Sequence, residues 1–197
     1  MATRKKTGFR ISFDSPITLI FVILCVIFGI LSKFFPEFQS FLTCPTSASG
    51  ENPFNFKSVT DYFRLLLYPL GVLDWNILTS NLVFILLLCP KIEEKFGKGI
   101  LSLLILITVL FSVVVCVCFS STVMVGSSGI VCMLFILSFY CSIDKKEIPL
   151  SYILLALIYF STQLISVFTT NSLEPFCHFA GALIGSLVGI LSLGNKN

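Results

Sequence analysis

Residues 125–141 read VGSSGIVCMLFILSFYC, an uncharged apolar run of about 15 residues that opens on a glycine-flanked serine pair, Gly126-Ser127-Ser128-Gly129. A helix that short cannot cross a hydrocarbon core of about 30 Å by itself. Feeding it through an irregular glycine loop puts non-helical backbone at membrane depth, which is tolerated only where protein or a water-filled cavity surrounds it. The stretch therefore reads as the fourth span of a bundle and as the marker of a site. Five more apolar runs flank it, at roughly 16–34, 74–90, 99–118, 150–168 and 175–193. Most are close to the length of about 20 that spans a bilayer.

Composition agrees. The chain has 197 residues, 56% of them hydrophobic and 12% charged, with a mean hydropathy of +0.99. So little polar surface cannot cover six such runs in water. The expected fold is an all-α membrane protein, a six-transmembrane-helix bundle over 16–193, with tails at 1–15 and 194–197. A disordered chain, a disulfide-stapled secreted domain and a nucleic-acid binder are excluded, since a net charge of +3 spread over this chain makes no basic face. The first run follows Arg4, Lys5, Lys6 and Arg10 as a signal peptide would, but it is longer than an h-region and no small-residue cleavage site follows. The eight cysteines lie mostly inside apolar runs and only one histidine is present. They read as small hydrophobes, with no metal and no cofactor expected.

Lysine and arginine give the orientation. Ten of them (Arg4, Lys5, Lys6, Arg10, Lys91, Lys95, Lys98, Lys145, Lys146, Lys196) fall on one side and three (Lys33, Lys57, Arg64) on the other. That bias places both termini in the cytoplasm. It makes KIEEKFGKG at 91–99 a solvated cytoplasmic turn, and 35–73 a long external connection. The latter is rich in Phe, Tyr and Pro and low in charge, so it is expected to lie partly in the outer leaflet.

Three polar residues share one depth. His178 falls about one turn into the sixth span, Asn81 about two turns into the second, and Ser128 opens the fourth; all three spans enter from outside. A rise of 1.5 Å per residue puts them on the order of 10 Å below the outer surface. Nucleophile, base and oxyanion donor are what acyl transfer needs. Each has a plainer reading: a serine bonded back to its own helix, an asparagine gluing two helices, and an intramembrane histidine that is a functional candidate by type. Gly181, Gly185 and Gly189 continue from His178 at four-residue spacing, a stripe that permits close helix packing. Gly126 and Gly129 let backbone N–H groups turn toward a substrate carbonyl at the positive end of the helix begun by Ser128.

These residues resemble the rhomboid intramembrane serine proteases, over about 15–193. The G-x-S-G motif is Gly126 to Gly129, and the sixth-span H-x-x-G-x-x-x-G motif is His178, Gly181 and Gly185. An aromatic-Arg pair in the first external loop is Phe63-Arg64, and Asn81 falls at the second-span asparagine. The resemblance implies an intramembrane serine endopeptidase of the bacterial six-span type, multi-pass in the plasma membrane, with its site open to the outside. Ser128 would be nucleophile and His178 general base, with Asn81, Gly126 and Ser127 binding oxyanion or substrate. Arg64, Gly129, Gly181 and Gly185 would be structural, Arg64 either pinning the loop or snorkelling.

Three positions depart from the family. Ile77 stands where a histidine assists the oxyanion, Cys132 where an aromatic stacks on the catalytic histidine, and Cys177 where alanine is common. With no carboxylate expected near His178, because Glu174 is read as outer loop, a dyad is what the residues support. Expected partners are transmembrane protein substrates and the lipid bilayer, without nucleic acid and with no oligomeric state assigned. The alternative is a rhomboid-like pseudoprotease that binds membrane-protein clients. A small-solute transporter is disfavoured for want of a repeat or an intramembrane acid.

Overall fold

A computed structural model of the chain describes residues 14–50, 52–144, 146–170 and 174–194. Arg4, Lys5, Lys6, Arg10, Lys145 and Lys196, and nearly all of both tails, lie outside the described residues. The elements are helical: α1 (Pro16–Phe34), α2 (Pro36–Phe41), α3 (Val59–Leu67) with a 3₁₀ turn at Tyr68–Leu70, α4 (Trp75–Phe96), α5 (Lys98–Phe119), α6 (Ser128–Asp144), α7 (Leu150–Thr170) and α8 (Glu174–Gly194). Five of these, α1, α4, α5, α7 and α8, are long and apolar enough to cross a membrane.

α6 is the short apolar helix, 17 residues, or about 25 Å at the α-helical rise. It lies at the centre. Ile130, Val131, Cys132, Met133, Leu134, Phe135 and Leu137 are all buried, as expected of a helix that is apolar on every side. α8 packs along it and along α5. Gly181 and Gly185 meet Thr108 and Ser112 of α5, while Gly189 meets Leu137 of α6 and Leu104 of α5. A side chain at Gly181 would collide with the Thr108 carbonyl and Ser112 Oγ. The glycine stripe thus seats α8 chiefly on α5, and its upper end carries His178 over the start of α6.

α4 runs six residues beyond the expected end of its span. Pro90 stands inside it, and a proline there removes one ladder bond, yet the helix continues because its last turns are anchored by burial. Ile92 and Phe96 are core residues, and Gly97, at φ +84°, makes the turn into α5. Glu93 corrects the reading of 91–99 as a solvated turn. It is 4% exposed and accepts from the amides of Ile17 and Thr18 at 3.0 Å each and from Thr18 Oγ1 at 2.8 Å. Those amides open α1, where a helix leaves its donors unpaired. Glu93 caps α1 from α4.

The connection 35–73 is tied to the link between α5 and α6. Cys44 N donates to Met124 O, Ser47 N to Ser120 O, and Gly126 N to Tyr68 O, all at 2.9 Å. Arg64 is buried inside this connection, giving Nε to Thr43 O at 2.9 Å and Nη1 to Asp61 Oδ1 at 3.1 Å. It does not reach for water as a snorkelling side chain would. Phe56, Val59, Tyr62, Phe63 and Leu66 point outward.

Candidate active site

The three polar residues singled out by depth meet. Ser128 is the first residue of α6, and Asn81 of α4 donates Nδ2 to its Oγ at 3.2 Å, with both side chains buried. His178, one turn into α8, lies across the same helix start. A Cβ added at Gly129 would stand 2.9 Å from His178 Nδ1 and 3.4 Å from its Cα. Gly129 is therefore the position that lets α8 bring the imidazole against the first turn of α6. Gly126, at φ +101°, adopts a conformation that L side chains avoid, and it turns the chain from the α5–α6 link into Ser127.

Gly126, Ser127, Ser128, Asn81 and His178 line one cavity of about 240 Å³ that α7 borders through Thr162 and Gln163. Gly129 lies behind it, Gly181 and Gly185 lie deeper between helices, and Arg64 belongs to the first connection. Ile77 lines the cavity on the face of Asn81, one turn toward the helix start.

Buried polar atoms nearly always find partners, so the orphaned ones are informative. Among the described residues, Ser127 Oγ and both ring nitrogens of His178 have no hydrogen-bond partner at this cavity, and the same holds for the Gln39 amide and Ser112 Oγ away from it. Ser128 Oγ and His178 are not bonded to one another here. Catalytic hydrogen bonds are often long without substrate and tighten in the complex. An imidazole with both nitrogens uncommitted, beside a serine held by an amide, can take a proton and give it back.

Glu174 corrects the expectation that no carboxylate lies near the histidine. It is part of α8, and Oε1 stands 3.6 Å from His178 Nε2 and accepts from Val125 N at 3.4 Å. The separation from the ring is long for a hydrogen bond but close for a charge. The sequence did hold the signal: Glu-Pro is a helix-opening pair, and starting α8 at Glu174 puts it four residues before His178 on the same face.

Two tyrosines also escaped the sequence reading. Tyr68, buried in the 3₁₀ turn, holds its ring 6.3 Å from that of His178 at 30°. Burial raises the Tyr68 hydroxyl pKa well above the usual range. Tyr159 of α7 donates to the Ser128 carbonyl at 3.0 Å. Cys132, four residues after Ser128 and at a position where the resemblance would place an aromatic, donates its thiol to the Tyr159 hydroxyl at 3.7 Å. None of the eight cysteines forms a disulfide among the described residues.

Compared with known families, residues 59–195 match the model of the rhomboid domain. No curated protein matches the chain.

Proposed function

The chain belongs to the rhomboid family and is an integral, multi-pass membrane protein, and from that premise we propose that it is an intramembrane serine endopeptidase working through Ser128 and His178. The observation that carries this reading is the meeting of three helices at Ser128: the Asn81 amide on its Oγ and His178 laid against Gly129.

In the proposed reaction His178 takes the proton of Ser128 as Oγ attacks the scissile carbonyl. The alkoxide-like oxygen that forms is held by Asn81 Nδ2, already beside Oγ, and by backbone N–H groups near Gly126 to Ser128. His178 returns the proton to the leaving amine, and water then hydrolyses the acyl-enzyme by the same steps in reverse order of roles. Substrates are transmembrane proteins whose helix unwinds readily, because a peptide bond inside an intact helix cannot present its carbonyl to a buried serine. Small or helix-breaking residues at the cut follow from this.

The proposal extends to topology. In this reading α6 completes a six-span bundle, both termini are cytoplasmic, as the lysine and arginine bias supports, the membrane is a bacterial plasma membrane, and the cavity opens outward. The outward-facing Phe56, Val59, Phe63 and Leu66 of the first connection support its resting in the outer leaflet. A second reading, a client-binding pseudoprotease, draws on the absence of a Ser128–His178 hydrogen bond among the described residues and on Ile77. A fluorophosphonate probe decides between them. Labelling that disappears in Ser128→Ala supports the protease, and a wild-type protein inert to the probe supports the client binder.

A further inference from the structure

Of the five long apolar helices, α7 is the least buried in the bundle. Among its described residues only Tyr159 is buried, at 4% exposed. Its ring stacks on Phe135 of α6 with centroids 5.0 Å apart at 30°, and meets Phe84 of α4 edge-on at 5.2 Å. This aromatic contact seats α7 on the two helices that supply Ser128 and Asn81. The hydroxyl at the tip of the ring bonds the carbonyl of Ser128 itself at 3.0 Å. A small residue at 132 makes this possible: the Cys132 thiol touches the same hydroxyl at a position where a larger side chain would compete for the space.

A buried tyrosine needs a partner for its hydroxyl, and many carbonyls in a bundle could serve. The one chosen belongs to the residue whose Oγ faces the cavity. A hydrogen bond to that carbonyl restrains rotation of the 128–129 peptide plane, and through it the direction in which the Ser128 Cα–Cβ bond points. We propose that Tyr159 is a positioning residue for the hydrolytic reaction: its hydroxyl, anchored by Phe84 and Phe135, holds the Ser128 backbone in the attacking orientation and makes that orientation depend on the seating of α7. The proposal rests on Ser128 being the nucleophile. It gives the least buried of the long helices a chemical link to the site.

The test compares Tyr159→Phe, which keeps every ring contact and removes only the hydroxyl, with Tyr152→Phe. Tyr152, also on α7, gives its hydroxyl to the Phe135 carbonyl, so it ties α7 to α6 well away from Ser128. The rate of labelling by a small fluorophosphonate is read on the monodisperse fraction in detergent. In that reaction Ser128 Oγ bonds to phosphorus, fluoride leaves, and the serine proton passes to His178. Loss of one hydrogen bond of ordinary strength predicts labelling about three- to tenfold slower in Tyr159→Phe. kcat on a transmembrane substrate should fall by the same factor with KM unchanged, while Tyr152→Phe labels as wild type. Wild-type labelling rates in Tyr159→Phe, or equal slowing in both variants, would overturn the positioning role and leave the nucleophile reading standing. A wild-type protein whose labelling does not depend on Ser128 would overturn both.

Discussion

The Asn81 side-chain amide donates to Ser128 Oγ across 3.2 Å, between residues 47 apart in the chain. An amide in that place is beside the atom that attacks, and so beside the oxygen that turns negative when it does. With Ile77 one turn away where a second donor would stand, Asn81 is the side-chain donor on which the proposed mechanism depends. Asn81→Ala should lower kcat by about 10²–10³ with little change in KM, measured by steady-state cleavage of a transmembrane substrate. Ile77→His, whose side chain lines the same cavity, should leave kcat unchanged or raise it. An undiminished kcat in Asn81→Ala would assign the oxyanion to backbone donors alone.

Gly129→Ala tests the close pass of α8. The added methyl would sit 2.9 Å from His178 Nδ1, closer than side chains tolerate, so the imidazole must shift. A misplacement of about 1 Å can cost on the order of 10² in rate. The variant should lose activity to that extent while keeping its melting temperature within a few degrees of wild type. Gly181→Ala should do the reverse in kind, because its methyl would meet the Thr108 backbone carbonyl. It should melt early, with a loss of about 1–3 kcal/mol.

Glu93→Ala should destabilise the bundle without touching the chemistry. The carboxylate accepts three hydrogen bonds at the start of α1, far along α4 from Asn81. Removing a charged cap of this kind costs about 1–3 kcal/mol. Thermal unfolding in detergent should show the loss, while kcat at a temperature where the variant stays folded should match wild type. A normal melting temperature would mean that α1 is held by its apolar contacts alone.

Orientation is open to labelling with a membrane-impermeant maleimide. Lys57 and Lys98 are exposed and lie on opposite sides of the proposed topology. Only Cys118 and Cys141 are not buried among the native thiols, so replacing those two gives a quiet background. Lys57→Cys should label in intact cells and Lys98→Cys only after permeabilisation. The opposite pattern would turn the site to the cytoplasm.

Much of this architecture is legible in the sequence because bilayer length and hydrophobicity are strong signals. The run at 16–34 coincides with α1, and the shortness of the run after Gly126 anticipates the central helix. Rise per residue alone predicts Asn81, Ser128 and His178 at one level, and in the structure the three line one cavity. What the sequence hid depends on tertiary contact. Charge at 91–98 looks solvated until α1 is seen to need a cap, and only then does Glu93 become a buried acceptor. Glu174 stands one residue before the apolar run at 175–193, so hydropathy assigns it to the loop although α8 begins there. Tyr68 and Tyr159 carry no local mark, because a tyrosine near a span reads as an interfacial ring unless its hydroxyl partner, here the carbonyl of Ser128, is known.

The central claim is that Ser128 is the nucleophile and His178 its base, and the most direct test is cleavage of a single-pass membrane protein by the purified chain in liposomes. Wild type and Ser127→Ala should both cut. Ser128→Ala and His178→Ala should produce no cleavage while remaining folded by thermal unfolding. Cleavage by Ser128→Ala, or loss of it in Ser127→Ala alone, would contradict the account.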